Sequence, residues 1–185
     1  MSIGITYVLI GPRDLSVLKK SISIIRSFNS TIDIKIYHDI DLNFSEFDSL
    51  NVRFKRFDRI SYPIREENRN SSYWRLVSLL ESEHDCTLYL DNDIFVVHEG
   101  FFEGFKIAKE YGTAMVQNPR MFITTYEKDM GDADIGNDVL QYDKDFIKDM
   151  PKYMTSYNMG VMFSSKDDKS FIEKIRDEQI SNPSR

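Results

Sequence analysis

The spacing of apolar residues changes period several times along the first 118 positions. ITYVLIG (residues 5–11) is an almost unbroken apolar run closed by Gly11-Pro12, the pattern of a strand buried on both faces. Asp14 then stands as a helix N-cap. Leu15, Leu18, Ile22, Ile25 and Phe28 recur at helical spacing behind it, with Lys19, Lys20, Ser23 and Arg26 on the other side. IDIKIYHD (32–39) and VRFKRFD (52–58) alternate as strands, with a short helix over Phe44–Leu50 between them. A polar loop (59–72) containing Pro63 and REENRNSS leads to Ser71 or Ser72 as the cap of a helix running to Glu81. TLYLDNDIFVV (87–97) reads as a strand, FFEGFKIAKEYG (101–112) as a helix and TAMVQN (113–118) as another strand.

This alternation predicts an α/β domain with a mainly parallel, twisted sheet and helices on both faces. Periodicity stops between Pro119 and Tyr153. That segment is acidic, carrying Asp129, Asp132, Asp134, Asp138, Asp143, Asp145 and Asp149. A long irregular insert of this kind is a lid, a binding loop or a surface excursion. SYNMGVMFSS (156–165) restores a strand, and DKSFIEKIRDEQI (168–180) a terminal helix.

Composition narrows the partners. The 185 residues suffice for one domain with a substantial core, and 41% hydrophobic with 29% charged residues is ordinary for a globular chain. A net charge of −6 argues against a nucleic-acid backbone as the main partner, which needs a basic stripe. The cluster Arg53, Lys55, Arg56 and Arg59 reads instead as a solvated strand face. Cys86 is the single cysteine, which excludes an internal disulfide and a multi-cysteine metal cluster; before an apolar strand it reads as a core residue. The N-terminus lacks a secretory signal pattern, and IGITYVLIG is too short to span a bilayer, so a soluble cytoplasmic protein without a membrane span is expected.

Candidate chemistry concentrates in CTLYLDNDIFVVHEG (86–100). Asp91 and Asp93 sit between two apolar runs, where like charges repel and resist desolvation. Ligands of open α/β sheets collect beyond the carboxyl ends of strands, and these aspartates stand at such an end. Residues two apart in an extended segment point the same way, so a hard divalent cation, Mg²⁺ or Mn²⁺, shared with substrate phosphates would remove the repulsion. Asn92 between them holds the turn or reaches a ligand. A solvated turn with two capping aspartates is the alternative.

LYLDNDIFV resembles the D-x-D element of nucleotide-sugar glycosyltransferases of the GT-A fold, in particular the glycogenin and bacterial galactosyltransferase-like family. VLIGPRDLSVLKKSISIIRSF is similar to that family's first strand, donor-site turn and first helix. YWRLVSLLES is similar to the helix before the D-x-D, and YNMGVMFSS to a later N-x-G-V strand. The resemblance implies a GT-A domain over the whole chain, with 1–118 as the donor half and 119–185 as acceptor or lid segment plus closing strand and helix. It implies transfer of a sugar from a nucleotide-diphospho-sugar, with UDP placed before GDP, to a glycan, protein or lipid hydroxyl. Asp91 and Asp93 then hold Mn²⁺ or Mg²⁺. Ile10 and Gly11 approach the nucleotide, Asp39 meets the base or ribose or merely closes a turn, and Asn158 lines the sugar pocket. Arg75 pairs with a phosphate or with the aspartates themselves.

The sequence departs from the family at one point. The later histidine motif that supplies a third metal ligand has no counterpart, since His38, His84 and His98 lie upstream of the aspartates or beside them. His98 reads as the start of the EGFF helix, and His84 as part of an exposed loop. The acceptor side offers Asn118, Tyr126 and Asp134 without choosing a catalytic base, and Asp177 and Glu178 read as solvated. DADIGNDVLQYD fails as a calcium loop because its glycine falls one position early and no terminal Glu follows. Two rivals stand beside the transferase. One is a non-catalytic sugar-nucleotide or glycan-binding module on the same fold. The other is a haloacid-dehalogenase-like phosphatase, whose D-x-D belongs near the N-terminus with Gly-Thr following.

Overall fold

The structure is a computed structural model that describes residues 1–12, 14–41, 43–61, 66–122 and 155–181. Among the described residues there are six strands: β1 (Ile3–Leu9), β2 (Asp33–His38), β3 (Arg53–Arg56), β4 (Cys86–Leu90), β5 (Ala114–Phe122) and β6 (Thr155–Ser165). The α-helices among them are α1 (Leu15–Phe28), α2 (Glu66–Leu80), α3 (Gly104–Tyr111) and α4 (Lys169–Ser181). Strand order in the sheet is β3-β2-β1-β4-β6-β5. β3, β2, β1 and β4 run parallel, and β6 is antiparallel to β4. The mainly parallel sheet read from the alternation is therefore present, with a reversed strand that the alternation does not encode.

The chain divides into two compact units. The larger comprises Met1–Ala114 and Gly160–Ser184; the smaller holds Met115–Met159 and Arg185. Among the described residues no helix is long and apolar enough to cross a membrane.

In the larger unit the period of two along β1 assigns its faces. Ile5, Tyr7 and Leu9 join Leu18, Ile22 and Ile25 of α1 and Phe105 and Ala108 of α3 in one core. Thr6 faces the opposite side, where its hydroxyl meets Ser78 of α2 at 2.9 Å. On that side α2 packs against β1, β4 and α4. Each fully buried Leu or Ile contributes roughly 1.5–3 kcal/mol by leaving water, so this two-faced burial is what orders the sheet.

Local signals hold in most places. The Asp14 side chain accepts from the Ser16 amide at 2.9 Å and caps α1. The short helix expected over Phe44–Leu50 is present as a 3-10 helix. Two expectations are corrected. α2 begins at Glu66, so Ser71 and Ser72 lie inside it and do not cap it. His84 is not an exposed loop residue: it is half-buried, with Nε2 2.7 Å from Asp33 Oδ2.

Candidate functional site

Because β1 to β4 are parallel, the residues that follow them gather at one edge of the sheet. The order β3-β2-β1-β4 reverses direction between β1 and β4, and such a switch point opens a crevice at the carboxyl ends of the strands. Ile10 and Gly11 follow β1, Asp39 follows β2, and Asp91, Asn92 and Asp93 follow β4.

The D-x-D loop is held by three backbone contacts. The Asp91 amide donates to Gly160 O on β6 at 2.8 Å, and the Ile94 amide returns to Asp91 O at 3.2 Å, closing a tight turn. Ser21 Oγ of α1 then donates to Ile94 O at 2.6 Å, and its own oxygen lies 3.0 Å from Tyr7 OH on β1. With the Ser21 proton already committed, Tyr7 is the donor in that pair. A strand, a helix and the candidate site are thus linked through two buried hydroxyls.

Asp91 is the better-supported of the two carboxylates. The hydroxyl of Tyr89, two residues earlier, donates to its Oδ1, and Arg75 Nη2 of α2 lies 3.1 Å from the same oxygen. Asp91 Oδ2 has a weaker contact of 3.5 Å to Arg75 Nη2. The Arg75 guanidinium also lies over the Tyr89 ring, 5.2 Å from its centroid. Burial pushes the Tyr89 hydroxyl well above its ordinary range, so it stays protonated and remains a donor. Among the described residues Arg75 Nε is buried without a hydrogen-bond partner.

Asp93 is different. It is exposed, and among the described residues no hydrogen bond or ion pair engages its carboxylate. Asn92 between them is half-buried in the turn. No group of three or more His, Cys, Asp or Glu side chains that could hold a metal is present among the described residues. The donor set that is present, one free carboxylate and one carboxylate with an oxygen only weakly engaged, fits Mg²⁺ or Mn²⁺. These ions take one or two protein carboxylates and fill the remaining positions with water and phosphate oxygens.

On the other side of the switch point, Gly11 adopts φ +68°, the left-handed region that favours glycine. Its amide donates to Asp39 Oδ1 at 2.9 Å, and Arg59 pairs with Asp39 Oδ2. Asp39 therefore bridges the ends of β1 and β2 and the loop after β3. Ile10 is buried. Asn158 falls on β6 in the smaller unit and Asn118 on β5, with both side chains outside the described set; Tyr126, Asp134 and the acidic segment around them lie outside it as well. His98 caps the 3-10 turn Glu99–Glu103, accepting from the Gly100 amide at 2.9 Å.

Two supporting residues carry no motif in the sequence. Tyr89 is one, and only its position two before Asp91 on a strand signals that it faces the same way. Asn70 is the other: fully buried, it clamps Ile60 through 2.8 Å bonds to both the amide and the carbonyl, fixing the loop after β3 against α2. No sequence signal marks it.

No protein-family model matches the sequence, and no curated protein matches it. Solved structures do. The galactosyltransferase LgtC in complex with donor and acceptor sugar analogs superposes with a TM-score of 0.57 at 12% identity, covering 97% of this chain and 64% of that one. The bifunctional glycosyltransferase WbbM gives 0.57 at 15% identity, covering 99% and 35%. CMP:2-keto-3-deoxy-manno-octonic acid synthetase complexed with CTP gives 0.52 at 10% identity, covering 98% and 85%. This chain thus spans under two thirds of the length of LgtC. The fold is that of the GT-A nucleotide-sugar glycosyltransferases, a fold also found in nucleotidyltransferase-type enzymes.

Proposed function

We propose that the chain is a metal-dependent glycosyltransferase, moving a sugar from a nucleotide-diphospho-sugar to an acceptor hydroxyl. The observation that carries this reading is the D-x-D pair beyond β4 at the switch point of a GT-A-type sheet, with Asp93 unengaged by any described residue. Asp91 and Asp93 would hold Mn²⁺ or Mg²⁺, which when bound offsets the charge of the departing nucleotide diphosphate.

The chain's own residues have separate tasks. Asp91 and Asp93 are electrostatic anchors, not proton-transfer groups. Ile10 and Gly11 supply backbone next to the nucleotide, where the lack of a side chain at Gly11 permits close approach. Asp39, buried and engaged by the Gly11 amide and by Arg59, braces that backbone. Asn92 orients the turn; by resemblance to the family, Asn158 is the residue proposed for donor-sugar recognition, with 1–118 proposed as the donor half and 119–185 as the acceptor side. UDP-sugars are the first donors to test, and the acceptor is a glycan, protein or lipid hydroxyl.

Titration with UDP- and GDP-sugars, with and without Mn²⁺, tests the reading. Asp93→Asn should leave thermal stability within about 0.5 kcal/mol of the parent, as for an exposed surface change. It should also weaken Mn²⁺-dependent nucleotide binding at least about tenfold, equivalent to about 1.4 kcal/mol. Metal-independent nucleotide binding that survives Asp91→Ala and Asp93→Ala together overturns these roles. Mn²⁺-dependent binding with neither transfer nor donor hydrolysis identifies a binding module instead.

A further inference from the structure

We infer that Arg75 is a resident counter-cation of the D-x-D pair, which weakens binding of the bare metal and couples its entry to the nucleotide diphosphate. The inference rests on the metal role proposed for Asp91 and Asp93. Arg75 Nη2 lies 3.1 Å from Asp91 Oδ1, so the protein already places a positive charge where a divalent cation would be drawn. With Arg75 in place, the two aspartates present to the metal the net charge of a single carboxylate. A bare divalent ion meets a half-neutralised site and a nearby guanidinium that repels it. A metal that arrives with a diphosphate brings the missing negative charge itself.

Three features keep Arg75 there. Its guanidinium lies over the Tyr89 ring at 5.2 Å, which fixes its plane. Tyr89 donates to the same Asp91 oxygen, holding the carboxylate toward α2. Ser78 Oγ donates to Arg75 O at 2.7 Å and meets Thr6 Oγ1 at 2.9 Å, tying this turn of α2 to β1. Among the described residues the buried Arg75 Nε has no hydrogen-bond partner, so the hydrogen bonding of the guanidinium is made through Nη2, the nitrogen that faces Asp91.

The test reads metal affinity directly, by Mn²⁺ electron paramagnetic resonance, with Mn²⁺ alone and with Mn²⁺ plus UDP. Arg75→Gln should bind bare Mn²⁺ about tenfold more tightly than the parent, the effect expected from removing one nearby like charge. The same variant should lose most of the enhancement that UDP gives the parent. Arg75→Lys keeps the charge and should stay near the parent for bare Mn²⁺, which separates charge from shape. Thermal melts establish that each variant is folded. Unchanged or weaker bare-metal binding in folded Arg75→Gln overturns the inference while leaving the metal site standing. Mn²⁺ binding in the parent that is indifferent to Asp91→Asn and Asp93→Asn overturns the metal reading itself, and this inference with it.

Discussion

The amide of Gly11 and the carboxylate of Asp39 lie 2.9 Å apart, joining the end of β1 to the end of β2 next to the candidate donor crevice. Two demands meet in this contact. Gly11 needs the left-handed region to turn the chain into α1, and its amide then points away from the sheet ladder toward Asp39. The Asp39 side chain is only 3% exposed and also carries the charge of Arg59.

Removing that carboxylate therefore has two consequences. Asp39→Ala leaves the Gly11 amide without this acceptor and removes the anion beside Arg59, at a cost of about 2–3 kcal/mol. Asp39→Asn keeps an acceptor for Gly11 and should cost less than half as much. Urea denaturation of the two variants measures the difference. A cost below about 0.5 kcal/mol for Asp39→Ala, the range of a surface change, would show that the contact does not brace the turn.

Steric room, not charge, decides the next case. Gly104 begins α3, and a Cβ added there would meet the Phe163 ring at 2.5 Å. That ring is held against Phe101 at 5.3 Å and edge-on to Phe105 at 5.1 Å, so it has little freedom to retreat. Replacing glycine by alanine inside a helix gains up to about 1 kcal/mol in propensity. Overpacking typically costs about 1–3 kcal/mol, and the closeness of the clash places Gly104→Ala in the upper part of that range. Net destabilisation of about 1–2 kcal/mol is expected by thermal melting, partly relieved by adding Phe163→Leu. A stabilised Gly104→Ala would mean that Phe163 yields freely.

Much of this architecture was legible because it rests on local signals. The apolar run of β1, the Asp14 cap and the heptad-like spacing of α1 each appear in the structure where the pattern puts them. What was not legible depends on pairings far apart in the chain. The start of α2 is not visible in the sequence because Glu66–Asn70 shows no apolar stripe; its anchor is Asn70, a polar side chain buried with its bonds to Ile60. Arg26, assigned to the polar face of α1, instead closes the carbonyls of Ile32, Leu50 and Asn51. The basic residues of β3 and of the loop after it are matched by carboxylates, with Arg53 on Asp33, Lys55 on Glu81, Arg56 on Asp41 and Arg59 on Asp39. At the site, the D-x-D was evident from its setting between apolar runs. The sequence leaves Arg75 two possible partners, a phosphate or the aspartates, and its guanidinium lies against Asp91. The link to Tyr89 needed three-dimensional positions.

The cluster at the opposite edge of the sheet makes stability depend on acid. Burial pushes the Asp33 carboxyl up, but hydrogen bonds from Arg53 and His84 more than reverse this and hold it below its ordinary value. A carboxyl depressed in the folded state contributes stability that is fully present above its unfolded pKa, about 3.9, and is lost as pH falls through the folded value. Thermal melts between about pH 6 and about pH 2 should thus show the parent losing stability in the acid range. Asp33→Asn should be less stable at neutral pH and show a shallower acid decline, because its side chain no longer titrates. Asp85, held low chiefly by its hydrogen bond from Lys166, adds a separate decline that persists in that variant. An Asp33→Asn profile parallel to the parent across the whole range would show that the Asp33 cluster contributes nothing to the acid sensitivity.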